Sequence, residues 1–321
     1  MTKRRRVLKL YEDDLAAIGL TMIIYVIMNF SFSLLSSNFY GFITKIYPFA
    51  DILMIRQITE IFTYILLFIV PIGLMSMSRE LPEGYYSLFR LSAMKFILPL
   101  FFSSLFFFNF INIYISALFK SIGIHGLDAR RTVPDGNFGK ILFIFSLTLL
   151  PALLEEMLFR GSILNRLRKF GNIPAVLVSS LIFAFMHFDI PSFIIIFLMG
   201  CLFSAVTIRC NSLLPGVIMH FLNNSIAVFF NYFSDSLEKK TLSDISFSLF
   251  MIQIISSLII ILWIVLRFYR NRYTVASSKV NLSKEQISQT LKSVADSLNS
   301  VWMILLFILS IVITLLLEFK S

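Results

Sequence analysis

The sequence predicts an all-α membrane protein, a polytopic helix bundle with an eight-span core and a ninth span at the C-terminus. Three observations carry that prediction. Of the 321 residues, 58% are hydrophobic and 14% are charged, and 36 are phenylalanine. Soluble globular chains carry roughly 25% charged residues. The mean hydropathy is +0.86, and apolar runs approaching the length of a helical span, about 20 residues, recur along the chain. Lysine and arginine collect in alternate connections between those runs, as the positive-inside rule expects.

The runs lie near 15–36, 58–77, 96–119, 141–166, 173–189, 191–208, 212–233, 247–269 and 301–318. Those at 173–189, 191–208 and 301–318 are short for spans. The first run is too long for a signal peptide and lacks its small-residue cleavage site, so it reads as a retained span. The basic start "TKRRR" lies on anionic headgroups of the inner face. That topology puts the N-terminus in the cytoplasm, and the membrane is the plasma membrane if the source is bacterial. The net charge of +10 is distributed by topology, so membrane lipids are expected as partners and nucleic acid is not. One connection breaks the pattern: Lys120, Arg130, Arg131 and Lys140 fall on the outer side, in a turn-rich stretch with Gly123, Gly126, Pro134, Gly136 and Gly139.

Two further features round out the chain. Cys201 and Cys210 are nine apart on one predicted helix, roughly 13 Å along its axis, which is too far for a disulfide. "LSKEQISQTLKSVADSL" at 282–298 opens with Ser283 and Gln286 as a capping box and Leu282 and Ile287 as a hydrophobic staple. Apolar residues then follow at helical spacing, which predicts an amphipathic helix near 283–298 on the inner surface or against a membrane-protein partner.

Ionisable side chains interrupt the spans at a few places only. "PALLEEMLFRGSILNRL" at 151–167 carries Glu155, Glu156 and Arg160 within an apolar run, and each charge costs about 2.5–3.5 kcal/mol at a helix centre. Glu156 and Arg160 are four apart, with the acid N-terminal, so they share a helix face and can pair. Glu155 points about 100° away and is the odd carboxylate, placed to take up and return a proton. Pro151, four before Glu155, removes a helix hydrogen bond and predicts a kink.

Of the three histidines, His125 lies in the outer connection and His187 and His220 lie in spans. His187 closes "FAFMH", and His220 opens "HFLNN" with Asn224 one turn later. A span histidine is often a packing residue bonded to a backbone carbonyl. Depth argues for more here. Glu155 is 13 residues before the turn near 168–173 and His187 is 14 after it, so both stand roughly 20 Å from that turn. His220, eight residues into its run, is shallower at about 12 Å.

These three motifs, Glu-Glu-x-x-x-Arg, Phe-x-x-x-His and His-x-x-x-Asn, resemble those of the CPBP family. That Abi-type family includes CAAX prenyl endopeptidases, bacteriocin-processing and self-immunity proteins, and lysostaphin-resistance-type proteins. The resemblance covers roughly 140–232 and divides the chain into N-terminal spans with a basic inner tail (1–139), the family-like core (140–232) and C-terminal spans (233–321). It implies intramembrane hydrolysis of a peptide or protein substrate at the membrane. Glu155 would be the general base, His187 would help activate the water, and His220 and Asn224 would hold the oxyanion. Glu156 and Arg160 would form a structural ion pair.

Three alternatives stand beside that reading. Glu155, His187 and His220 also make an open three-ligand set of the kind catalytic zinc uses. However, no HExxH spacing is present, and a glutamate bound to metal is no longer a free base, so the expected cofactor is none. A non-catalytic membrane partner, with an immunity or regulatory role, is the alternative to an enzyme. Eroded motifs would mark such a protein, and every motif position here is intact. A proton-coupled transporter would also use intramembrane carboxylates, but no inverted repeat supports it.

Overall fold

The computed structural model describes residues 3–47, 51–77, 96–124, 131–272, 292, 294–295 and 297–318. Among these there are helices and connections and no strand. The helices are α1 (Lys3–Ile46), α2 (Ile52–Met77), α3 (Ile97–Ser121), α4 (Asn137–Leu147) and α5 (Leu149–Glu156). Then come α6 (Asn172–Phe185), α7 (Phe193–Cys210), α8 (Leu214–Val228), α9 (Lys239–Arg272) and α10 (Val301–Glu318). The protein is a polytopic helical membrane bundle. Among the described residues, six helical stretches are long and apolar enough to cross a membrane: Leu10–Ile46, Ile52–Met77, Ile97–Ser121, Asn137–Phe170, Phe193–Cys210 and Lys239–Arg267. Asn172–Phe185 and Val301–Leu317 are shorter apolar helices, and the run at 212–233 is α8 followed by a π-turn, Phe229–Phe233. His125 and most of the segment near 283–298 lie outside the described residues.

The span that carries the carboxylates is not one smooth helix. It breaks at Thr148, which has φ −117° and ψ −75°. Pro151, three residues on, has no N–H to give the Leu147 carbonyl, and Thr148 Oγ1 donates instead to the Ile144 carbonyl at 2.7 Å. After Glu156 the chain widens into a π-helix over Met157–Leu164, then tightens through Asn165–Leu167 into a 3₁₀ turn, Arg168–Phe170. Wide turns of this kind are frequent at functional sites. The next helix is shorter than its apolar run. α6 ends at Phe185, Phe188 takes a left-handed φ of 52°, and Pro191 disfavours helix at the residue before it. Asp189 Oδ2 accepts from the Ser192 N–H at 3.0 Å as α7 begins.

Two buried clusters hold the bundle. Leu15, Ile18 and Met22 of α1 meet Phe68 of α2, Leu158 and Phe159 of the π-helix, and Ile182 and Phe183 of α6. Phe101 and Leu105 of α3 meet Phe203 of α7 and Met219 of α8 in the second. Lipid tails are as apolar as leucine, so contact here depends on close approach and polar ties rather than on expelling water. α10 lies directly against α1: a Cβ added to Gly19 would stand 2.7 Å from Trp302 Cβ. Met303 and Leu306 of α10 are completely buried in the first cluster.

A buried ionic knot joins the first two helices to the core. Asp14 of α1 is 1% exposed and pairs with Arg166 at 3.3 Å and with Lys169. Arg166 also donates to the Met75 carbonyl near the end of α2, at 2.6 Å.

Candidate active site

Glu155 and Glu156 are neighbours at the end of α5, and the helix turns them into different surroundings. Glu156 is fully buried and Arg160 is 1% exposed. Arg160 donates to Glu156 Oε1 at 2.9 Å and to the Gly200 carbonyl at 3.2 Å. Its guanidinium lies over two rings, 4.4 Å from the Phe183 centroid and 5.6 Å from that of Phe203. Arginine, planar and weakly hydrated, suits such a stacked, desolvated seat.

Glu156 has a second partner. His220 of α8 directs Nδ1–H to the same Oε1 at 3.1 Å, and its ring stacks on Phe203 with centroids 5.5 Å apart. That contact turns Nε2 toward Glu155 Oε2, 3.8 Å away. Close backbone approach makes room for the arrangement. A Cβ on Gly216, one helical turn before His220, would stand 2.8 Å from Glu156 Oε2 and 3.1 Å from Thr207 Oγ1.

Glu155 is half-buried and faces a cavity of about 580 Å³. Tyr64 of α2 donates its hydroxyl to Glu155 Oε1 at 2.5 Å. Glu155 Oε2 is buried and has no hydrogen-bond partner. Asn224, one turn beyond His220, lines the same cavity as Glu155 and Tyr64. Another part of the wall is charged: Glu60 pairs with Arg56 at 2.8 Å and with Arg131 at 2.9 Å. The Arg131 N–H also donates to the Tyr232 hydroxyl at 3.3 Å.

His187 stands apart. It lies in the turn after α6 rather than inside a helix, and it is exposed. Its Nδ1–H donates to the Phe183 carbonyl at 2.8 Å, and its ring meets Phe183 edge-on at 4.7 Å. The Phe183 ring in turn is 6.1 Å from that of His220. One phenylalanine therefore separates the two histidines. The structure brings together Glu155, Glu156, Arg160 and His220, with Asn224 on the shared cavity, and leaves His187 one ring away. Among the described residues no three His, Cys, Asp or Glu side chains gather closely enough to hold a metal ion.

Three contacts escaped the sequence reading. Glu156 holds His220 as well as Arg160, Tyr64 reaches Glu155 from a distant span, and Arg131 joins Glu60 across the cavity wall. Tyr64 had a signal of its own, since a tyrosine hydroxyl within an apolar span needs a partner. The other two depend on which helices meet.

Residues 137–226 match the family model described as Type II CAAX prenyl endopeptidase Rce1-like. The chain is also similar to the membrane-embedded CAAX protease MroQ of Staphylococcus aureus (strain USA300). The two are 34% identical over 115 residues, which cover 33% of this chain and 46% of the relative. The match thus spans about half the length of that curated relative. No solved structure matches the chain. Glu155, Glu156, Arg160, His187, His220 and Asn224 all fall inside the matched segment, so both the similarity to the type II CAAX endopeptidase model and the resemblance to the CPBP family rest on the part of the chain that carries the site.

Proposed function

We propose that the protein is an intramembrane endopeptidase that hydrolyses a peptide bond of a membrane-associated peptide or protein with a glutamate-activated water. One observation carries the reading: Glu155 presents a buried, unpartnered Oε2 beside His220 Nε2, on a cavity that also holds Asn224. In the first step Glu155 Oε2 takes a proton from water as its oxygen attacks the scissile carbonyl. Negative charge then develops on the carbonyl oxygen, where the Asn224 amide and the His220 ring donate to it, as donors preset for that charge do in acyl transfer. Collapse of the tetrahedral intermediate breaks the C–N bond, and the proton held by Glu155 passes to the leaving amine.

The surrounding residues hold these groups in place. Glu156 fixes the His220 ring through Nδ1, and Arg160 balances Glu156 in a setting with little water. His187 keeps Nε2 as an acceptor because Nδ1–H is committed to the Phe183 carbonyl. We assign it to orient the water once substrate fills the cavity, since catalytic hydrogen bonds that are long in a free enzyme tighten in the complex. No step is routed through a metal.

The test is a library of membrane-tethered peptides incubated with the purified full chain in vesicles, with products read by mass spectrometry. Wild type is expected to cleave one or more peptides at a defined bond. Glu155→Gln is expected to abolish that cleavage while the protein still inserts with an unchanged Tm, and cleavage is expected to persist in chelator. Persisting activity in Glu155→Gln would overturn the assignment of the base. Loss in chelator with recovery on added zinc would overturn the metal-free mechanism.

A further inference from the structure

We infer that Tyr64, on a helix outside the segment shared with the family, positions the catalytic carboxylate by deciding which of its two oxygens meets the water. The inference rests on Glu155 being the base, as proposed above. The terminal torsion of a glutamate is broad and roughly two-fold, so an unanchored carboxylate exchanges its oxygens and swings its plane. Tyr64 removes that freedom. Its hydroxyl donates to Oε1 at 2.5 Å, the length of a strong hydrogen bond to a charged acceptor. Oε2, its partner in the same carboxylate, is left buried, without a hydrogen bond, and 3.8 Å from His220 Nε2.

The phenol is itself held. Its ring lies 4.8 Å from that of Phe68, which is 1% exposed. Phe68 also meets Tyr25 of α1, edge-on at 5.3 Å between centroids. A chain of rings thus runs from α1 through α2 to the carboxylate. Both Tyr64 and Glu155 line the cavity, so the anchor stands beside the reacting atoms without needing to bond to substrate. The base is thereby oriented by two separate regions. α2 holds Oε1, and α8, through His220, faces Oε2.

Tyr64→Phe tests this, because it keeps the ring and its contact with Phe68 and deletes only the donor. The assay uses the best-cleaved peptide of the library described above, with Glu155→Gln in parallel. Tyr64→Phe is expected to lower kcat by about 10- to 100-fold, the scale of loss when a reacting group is misplaced by an ångström or so. KM and Tm are expected to stay at wild-type values. A purely packing role for Tyr64 would move Tm and leave kcat alone. Wild-type kcat in Tyr64→Phe, a loss confined to KM, or a fall in Tm that accounts for the lost activity would overturn the inference while Glu155→Gln remains inactive. Activity in Glu155→Gln, or no cleavage by wild type, would overturn the underlying reading and the inference with it.

Discussion

At the scale of the residue, adjacent carboxylates do different things because of what each one touches. Glu156 holds two donors, the Arg160 guanidinium and the His220 ring, on one oxygen, whereas Glu155 has a single neutral donor and a free oxygen. Glu156→Gln should leave the Arg160 charge buried and unpaired, a loss of roughly 3–5 kcal/mol, and should also release the His220 ring. Arg160→Met should destabilise for the converse reason, and the double variant should recover part of the loss. Thermal unfolding of the three proteins in detergent checks this, and equal Tm values would mean that the pair contributes nothing. Gly216 supplies a sharper probe. In Gly216→Ala the new methyl would press on a carboxylate that Arg160 and His220 already hold. Overpacking of this kind costs about 1–3 kcal/mol. The expected outcome is a folded protein with a modestly lowered Tm and a larger proportional loss of cleavage, because the strain falls on the residue that aims His220.

At the scale of the element, the irregular segments explain the site better than the regular helices. Thr148 interrupts the carboxylate span just before Pro151, and the π-helix from Met157 to Leu164 carries Arg160. The early end of α6 sends His187 into a turn, where the depth argument from ideal helical rise had set it within a span. The depth estimate assumed ideal rise as far as His187, whereas α6 runs for 14 residues, about 21 Å, and ends at Phe185. It could not tell a helical residue from one just past the helix. The ionic knot around Asp14 belongs to this scale too, because it fastens α1, α2 and the segment after the π-helix. Asp14→Ala should leave Arg166 buried without its counter-charge and lower stability by about 3–5 kcal/mol. Asp14→Ala with Arg166→Met should regain part of it. The measurement is Tm in detergent, and the two variants melting together with wild type would remove the knot from the account.

At the scale of the whole molecule, the charged residues in the cavity wall bear on which face the cavity opens to. Arg56, Glu60 and Arg131 sit near the ends of α1 and α2 that are remote from the basic N-terminus. With the N-terminus inside, as the positive-inside bias expects, that end of the cavity faces outward. The prediction is tested by labelling intact cells with a membrane-impermeant thiol reagent, in a Cys201→Ser, Cys210→Ser background. Asp135→Cys, on the connection next to Arg131, should label from outside, and Asn172→Cys, at the opposite turn, only after the cells are opened. The reverse pattern would invert the topology and turn the cavity toward the cytoplasm.

The helical membrane class, the runs that become helices and the pairing of Glu156 with Arg160 were all legible in the sequence. They depend on composition, on local periodicity and on a spacing of four residues, and none of these needs knowledge of what lies across the bundle. The separation of Glu155 from its neighbour was legible for the same reason, since 100° per residue sends adjacent side chains in different directions. The tertiary structure alone decided that His220 bonds to Glu156 from 64 positions away and that Tyr64 reaches Glu155 across 91. It also paired Arg166 and Lys169 with Asp14. Contacts between distant helices are set by which faces pack and how closely, and in a bilayer, where apolar surface is interchangeable with lipid, the polar ties that select those faces appear only once the helices are placed.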